Sequence, residues 1–270
     1  MENLFDQRIK LYQQREFSQK ISATFTFVRQ CTKSYFKAQL AIAGPVTLLL
    51  VILMATFFNT FMDFAFNMSA NPNQDPGYLF SVSYFLNLAA ISLLSLLMIS
   101  TILLVNFSFL RLYHQKDRQA PEVREVYSLV LNRLPRALLV LFLWFLLIMA
   151  GFLVFILPGI YLAVVATLSI PVLVIEDTGV SKAFSRPFRL IKEKWWSTFG
   201  LIIVMGILGY FIALAFSIPG YIAFFADSFL GLSDGQPMAE AGQSPFSSWT
   251  MGIYMLFAYI GQLVSSCLCR

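Results

Sequence analysis

The chain is organised around residues Leu157–Trp196, which read LPGIYLAVVATLSIPVLVIEDTGVSKAFSRPFRLIKEKWW. A Pro-Gly pair and an apolar run open this stretch, and the run ends at Glu176 and Asp177. The next segment mixes basic and apolar side chains at helical spacing and closes on Trp195 and Trp196. An apolar span, a basic segment and a new apolar span follow one another, and this order predicts repeated membrane crossing.

The composition requires a lipid solvent for much of the chain. Hydrophobic residues make up 58% of the 270 residues and charged residues only 12%, whereas a soluble domain is about a quarter charged. The uncharged runs reach the ~20 residues that a helix needs to cross a bilayer. We therefore predict an all-α, polytopic membrane protein that forms a single domain over 1–270, with a cytoplasmic amphipathic segment over 1–38. The predicted spans are 39–62, 79–110, 137–157, 158–175, 197–219 and 247–268.

The basic residues predict the orientation. Of the 19 Lys and Arg, seven precede the first span and six lie between the second and third. Five more lie between the fourth and fifth spans, and one is the C-terminal residue. Six spans with both termini in the cytoplasm put all of them on one side, as the positive-inside rule requires. The net charge of +5 is thereby explained without nucleic acid as a partner.

Helical periodicity recurs before each pair of spans. Segments 21–32, 123–134 and 180–191 carry apolar side chains on one face and basic side chains around them. We predict three hairpins, each preceded by an amphipathic surface helix, with Pro135 bending the chain into the third span. A true internal repeat and a coincidence of membrane composition explain these three segments equally well. Gly200, Gly206 and Gly209 predict close helix packing in the fifth span.

The predicted spans carry no Asp, Glu, Lys, Arg or His, which argues against ion-coupled transport. Asn87, Ser100, Thr101 and Asn106 add polarity to the second span, and interhelical hydrogen bonds are favoured over a substrate path for them.

Residues 231–235 match the G-x-S-x-G pattern of nucleophilic serines around Ser233, but the only histidine, His114, falls on the opposite side of the membrane. We expect no enzyme activity, no cofactor and no metal. Buried or idle thiols are favoured over acylation at Cys267 and Cys269.

Basic and aromatic side chains cluster at the end of the opening stretch. Lysines beside tryptophans suit a membrane interface, and the cluster is a candidate contact for lipid headgroups or a partner. General attraction to anionic lipid is favoured over a specific headgroup site. The candidate residues are Arg186, Arg189, Lys192, Lys194, Trp195 and Trp196.

The same stretch carries a motif of the form PGIYL…P-x(4)-E-x(2)-G-x(3)-A-x(2)-R, formed by Pro158, Gly159, Glu176, Gly179 and Arg186 among others. It resembles the membrane domain of glycerophosphoryl diester phosphodiesterase-type proteins and related bacterial multi-span families of unknown function. The resemblance implies a bacterial inner membrane. It implies no activity, because the barrel domain that performs the chemistry in such enzymes is absent from these 270 residues.

We accordingly expect a non-enzymatic inner-membrane scaffold or accessory subunit. A transporter or lipid-handling protein with a groove between hairpins is the alternative. Expected partners are membrane lipids and either other membrane proteins or further copies of this chain.

Overall fold

The computed structural model describes residues 17–70, 81–116, 121–192, 194–233 and 261, and every regular element in them is an α-helix. The predicted all-α class is confirmed for this part of the chain. The helices are α1 (Phe17–Ala70), α2 (Val82–Gln115), α3 (Val123–Val154), α4 (Ile156–Ala166), α5 (Ser169–Ile175), α6 (Val180–Ile191) and α7 (Trp195–Ser233).

Five helical segments are long and apolar enough to cross a membrane, which indicates a multi-pass membrane protein. The segments are Ser34–Phe58, Val82–Gln115, Val123–Val154, Ile156–Ile175 and Trp195–Pro219. Apart from residue 261, the predicted sixth span over 247–268 lies outside the described residues, as do Cys267 and Cys269.

The first two predicted surface segments are continuous with the spans that follow them. Helix α1 contains Pro45, and α3 contains Pro135, where the sequence predicted a bend into a new span. In α3 the buried positions keep helical spacing on both sides of the proline, with Val130 before it and Ala137 and Val140 after it. Proline removes one backbone hydrogen bond, and packing on both sides holds the helix across that loss.

The third and fourth predicted spans separate at Phe155, not at Pro158 as the sequence predicted. Phe155 has an extended backbone (φ −161°, ψ 152°) between α3 and α4. Pro158 therefore lies in the first turn of α4, where the missing N–H has no intrahelical partner to lose.

Helices α3 and α4 approach closely at a glycine pair. A Cβ built on Gly159 would lie 2.6 Å from the ring of Phe152, and one built on Gly151 would lie 3.1 Å from the Gly159 Cα. Gly200 and Gly206 have nothing within 4 Å of such a Cβ. Among the described residues, close packing is therefore absent at these two glycines of α7, whereas the third predicted glycine, Gly209, is buried. Elsewhere α7 is closely approached, since a Cβ built on Gly261 would lie 3.1 Å from the Ala213 Cα.

The described chain divides into two compact units. The first contains α3 to α6, α1 up to Gly44, α2 from Leu96 and α7 up to Leu208. Its core includes Leu104 and Phe109 of α2, Trp144 of α3, Leu173 of α5 and Ile191 of α6. Close van der Waals packing of such side chains stabilises this unit.

The second unit contains the remaining parts of α1, α2 and α7. Within it Phe57 of α1 and Tyr84 of α2 pack with ring centroids 5.7 Å apart. Large apolar side chains such as Phe85, Tyr210 and Phe211 are exposed. An exposed apolar surface of this extent suits contact with lipid.

Candidate functional site

Helix α6 is attached to the core by one face. Ala183, Pro187 and Ile191 are buried at intervals of four residues. Between them, Phe184 and Phe188 of α6 pack on Trp144 of α3, with centroid distances of 4.6 Å and 5.5 Å. Because protein side chains cover this apolar face, α6 is held in a defined position by the bundle itself.

The opposite face of α6 presents the predicted basic side chains. Arg186 and Arg189 are exposed on α6, and Lys192 and Lys194 are exposed in the turn that follows. The Arg186 Nε lies 2.6 Å from a carboxylate oxygen of Glu176. The structure therefore leaves these four predicted side chains exposed within nine residues of each other along the chain, and the Glu176 carboxylate pairs with one of them. We call Arg186, Arg189, Lys192, Lys194 and Trp196 the basic face.

The two tryptophans differ in their surroundings. Trp195 is half-buried and stacks on Phe199 at 5.0 Å and on Tyr161 at 6.1 Å. Trp196 is 78% exposed. Trp195 therefore packs within the first unit, whereas Trp196 is available for contact with lipid or a partner.

The motif residues lie at helix ends, at a close helix contact and in an ion pair. Pro158 lies in the first turn of α4, and Gly159 makes the close approach to α3 described above. Glu176 pairs with Arg186. Gly179 is the residue before α6, with an extended backbone.

An ion cluster that the sequence analysis missed lies in the turn before α6. The Arg133 Nη2 of α3 donates to Asp177 Oδ1 over 2.7 Å, and the Arg111 Nη2 of α2 donates to Asp177 Oδ2 over 3.2 Å. Arg111 Nη1 also donates to the Val174 carbonyl oxygen over 2.7 Å. We call Arg111, Arg133 and Asp177 the arginine cluster. No local sequence pattern predicts this cluster, because Asp177 is 66 residues from Arg111 and 44 residues from Arg133.

The backbone and the carboxyl group of Asp177 are both perturbed. Asp177 has φ 53°, in the left-handed region that a non-glycine residue rarely adopts. The hydrogen bond from Arg133, and then that from Arg111, holds the pKa of the Asp177 carboxyl below its ordinary value. The Asp177 side chain is 55% exposed, whereas that of Arg133 is 9% exposed. The Arg133 Nη1 is buried without a hydrogen-bond partner among the described residues.

A second polar group lies between α1 and α2. The Tyr35 hydroxyl donates to Asn106 Oδ1, which confirms the predicted interhelical hydrogen bond for Asn106. Ser100 and Thr101 donate instead to carbonyl oxygens of their own helix, over 2.6 Å and 2.8 Å, and the Asn87 amide does the same over 3.0 Å. Both polar atoms of the Gln39 amide are buried without a partner among the described residues. The position of Asn106 in an apolar span predicted its hydrogen bond, whereas no sequence pattern predicted the burial of Gln39.

The described residues contain no group of three or more His, Cys, Asp or Glu side chains suited to a metal ion. Ser233 is the last residue of α7, so Gly231 and Ser233 of the G-x-S-x-G pattern end this helix, whereas residues 234 and 235 lie outside the described residues. His114 lies in the last turn of α2.

A family model described as a domain of unknown function (DUF7847) matches residues 125–266. The match covers more than half of the chain. The chain belongs to the DUF7847 family. The matched range includes Arg133, Asp177 and the basic face, whereas Arg111 and Gln39 precede it. No curated protein and no solved structure matches the chain.

Proposed function

We propose that this member of the DUF7847 family is a non-enzymatic scaffold or accessory subunit of the bacterial inner membrane, with the basic face as its contact surface. The supporting observation is that α6 has its apolar face packed on Trp144 while Arg189, Lys192 and Trp196 remain exposed. A surface held rigidly in this way loses little conformational entropy on binding. Charges on its rim steer an acidic partner into place.

The proposal includes the finer topology. Six spans with both termini in the cytoplasm place the basic face on the cytoplasmic side, together with every other basic residue. Cysteines introduced at Ser69 and Ser244 should react with an impermeant thiol reagent from outside intact cells. Reaction only after the cells are opened would contradict this topology. Residue 244 lies outside the described residues, as does the side chain of Ser69.

The contact surface is tested by crosslinking. A photoreactive amino acid at Leu190, which is exposed beside Arg189, should crosslink in membranes to another membrane protein or to a second copy of this chain. The double variant Arg189→Glu/Lys192→Glu should abolish that product. The matched control Arg124→Glu/Arg136→Glu reverses two exposed charges on α3 and should leave it unchanged. Crosslinks to lipid alone would contradict the scaffold proposal.

Lipid handling or transport is the second candidate, and the Gln39 amide favours it. A buried amide without partners is costly in an apolar core, and a bound polar molecule would remove that cost. In proteoliposomes, Gln39→Leu should then stop flux of lipid or solute without lowering thermal stability. If Gln39→Leu is more stable and equally active, the amide has no role in transport.

The relation to the phosphodiesterase-type membrane domain rests on the motif within Leu157–Trp196. The positions of Gly159 and Glu176 support a structural role for that motif. We propose no phosphodiesterase activity.

A further inference from the structure

We propose that Arg111 and Arg133 form a binding site for a phosphate-type oxyanion, and that the Asp177 carboxylate competes with this ligand for the two guanidinium groups. The ligand is a phosphate monoester or diester, supplied either by a lipid headgroup or by a free phosphate compound. The site is distinct from the basic face, so the proposal stands or falls independently of the scaffold function.

The charges of the cluster leave a cation in excess. Two guanidinium groups share one carboxylate, since Arg133 bonds one oxygen of Asp177 and Arg111 bonds the other. The neighbouring acid, Glu176, pairs with Arg186 at 2.6 Å and does not supply the missing charge. The cluster of Arg111, Arg133 and Asp177 therefore carries a net charge of +1, which favours an anionic ligand.

The unused hydrogen-bonding capacity of Arg133 points the same way. Its side chain is more than nine-tenths buried, and Nη1 has no partner among the described residues. A buried cationic donor without an acceptor is strongly unfavourable. A guanidinium presents two parallel donors that match two oxygens of a phosphate, and Asp177 engages only Nη2 of Arg133. An oxyanion with three or four oxygens would satisfy Nη1 as well.

The position of the cluster gives a ligand access to it. Asp177 is exposed and lies in the short turn between α5 and α6, where Gly179 is also exposed. A Cβ built on Gly179 would meet nothing within 4 Å, so there is open space beside the turn. This turn directly follows Ile156–Ile175, a helical segment apolar enough to cross a membrane. Lipid phosphates lie at the level where such a segment ends.

The competition with Asp177 yields variants with opposite effects. Arg133→Gln removes the positive charge and the paired guanidinium donors, and it should lower the affinity for phosphate at least about tenfold. Asp177→Asn removes the competing charge and should raise the affinity by roughly tenfold or more. Asparagine tolerates the left-handed backbone that position 177 adopts, so this variant retains the turn. Arg136→Gln is the matched control, because Arg136 lies on the same helix and is exposed.

The experiment uses the full chain purified in a neutral detergent. One arm titrates inorganic phosphate against potassium chloride at equal ionic strength and follows the melting temperature through tryptophan fluorescence. The other arm adds phosphatidylglycerol or phosphatidylcholine and counts retained lipids by native mass spectrometry. Stabilisation by inorganic phosphate identifies a free phosphate compound as a sufficient ligand, whereas selective retention of phosphatidylglycerol alone identifies a lipid headgroup.

The variants decide the outcome in either arm. The proposal is supported if binding increases in Asp177→Asn and is unchanged in Arg136→Gln. If Arg133→Gln does not fold, Asp177→Asn still provides the test. The proposal is overturned if neither probe binds, if Arg136→Gln weakens binding as much as Arg133→Gln does, or if Asp177→Asn leaves the affinity unchanged.

Discussion

Arg133 Nη2 donates to Asp177 Oδ1 over 2.7 Å, and this bond joins α3 to the turn between α5 and α6. Arg111 of α2 bonds the other oxygen of the same carboxylate at 3.2 Å. One carboxylate therefore holds three parts of the first unit together. Its own side chain is half exposed while Arg133 is buried, so the cluster connects the core to the surface.

The stability of the protein should fall at acid pH through Asp177. Its pKa is lower in the folded chain than in the unfolded chain, because Arg133 and then Arg111 stabilise the carboxylate. The contribution is therefore fully present above the unfolded pKa of about 4 and is lost as the pH falls through the folded pKa. Since the carboxylate is half exposed, solvent screening keeps the effect modest.

Melting temperatures measured from pH 3 to pH 7 provide the test. The fall in melting temperature below pH 4 should be smaller in Asp177→Asn than in the wild-type chain, because the variant has no carboxylate to protonate at this position. Equal acid sensitivity of the two proteins would show that the cluster contributes nothing to the pH dependence.

Substitution of Gly151 should separate α3 from α4. In Gly151→Ala the new methyl group would meet the Gly159 backbone at 3.1 Å and Leu162 Cδ1 at 2.9 Å. Backbone atoms cannot yield as a flexible side chain can, so we expect a loss of about 1–3 kcal/mol in the free energy of unfolding. Denaturation in mixed micelles measures this loss.

Gly206→Ala is the matched control, because the site of its Cβ is open. Alanine is a better helix former than glycine by about 1 kcal/mol, so this variant should be neutral or slightly more stable. A loss at Gly206 equal to that at Gly151 would indicate that α7 packs closely at Gly206.

Removal of the Trp144 ring should release α6. Trp144 is almost completely buried and packs on both Phe184 and Phe188. Trp144→Ala should cost about 3–5 kcal/mol of unfolding free energy, and a cysteine at Phe188 in this background should react faster with thiol reagents. Trp196→Ala removes a largely exposed ring and should change neither quantity. Unchanged reactivity at position 188 would show that α6 is held by other contacts.

The hydroxyl of Tyr35 should stabilise the pairing of α1 with α2. Tyr35→Phe leaves the buried Asn106 Oδ1 without the donor that it has in the structure, and we expect a loss of about 1–2 kcal/mol. Tyr127→Phe is the control, since Tyr127 is exposed on α3. If both variants have the melting temperature of the wild-type chain, the interhelical hydrogen bond adds no net stability.

The membrane class and most helix positions follow from the sequence, because they depend on local composition and period. The apolar runs predict the five described segments suited to crossing, and the spacing of Val180, Phe184 and Ile191 predicts α6. Helix limits at prolines were predicted less well. Pro135 lies inside α3, because packing on both sides offsets the backbone hydrogen bond that a proline removes. The break before α4 is at Phe155 and not at Pro158, because a proline is tolerated in the first turn of a helix.

The sequence by itself determined where apolar surface must be buried or covered by lipid and which residues carry charge. Five of the six predicted contact residues, including Trp196, are therefore exposed on the basic face, while Trp195 packs on Phe199 and Tyr161. Only the tertiary structure decided which charges meet. Asp177 finds Arg111 and Arg133 across 66 and 44 residues, and an ion pair of this kind depends on the packing of whole helices, which no local pattern of side chains encodes.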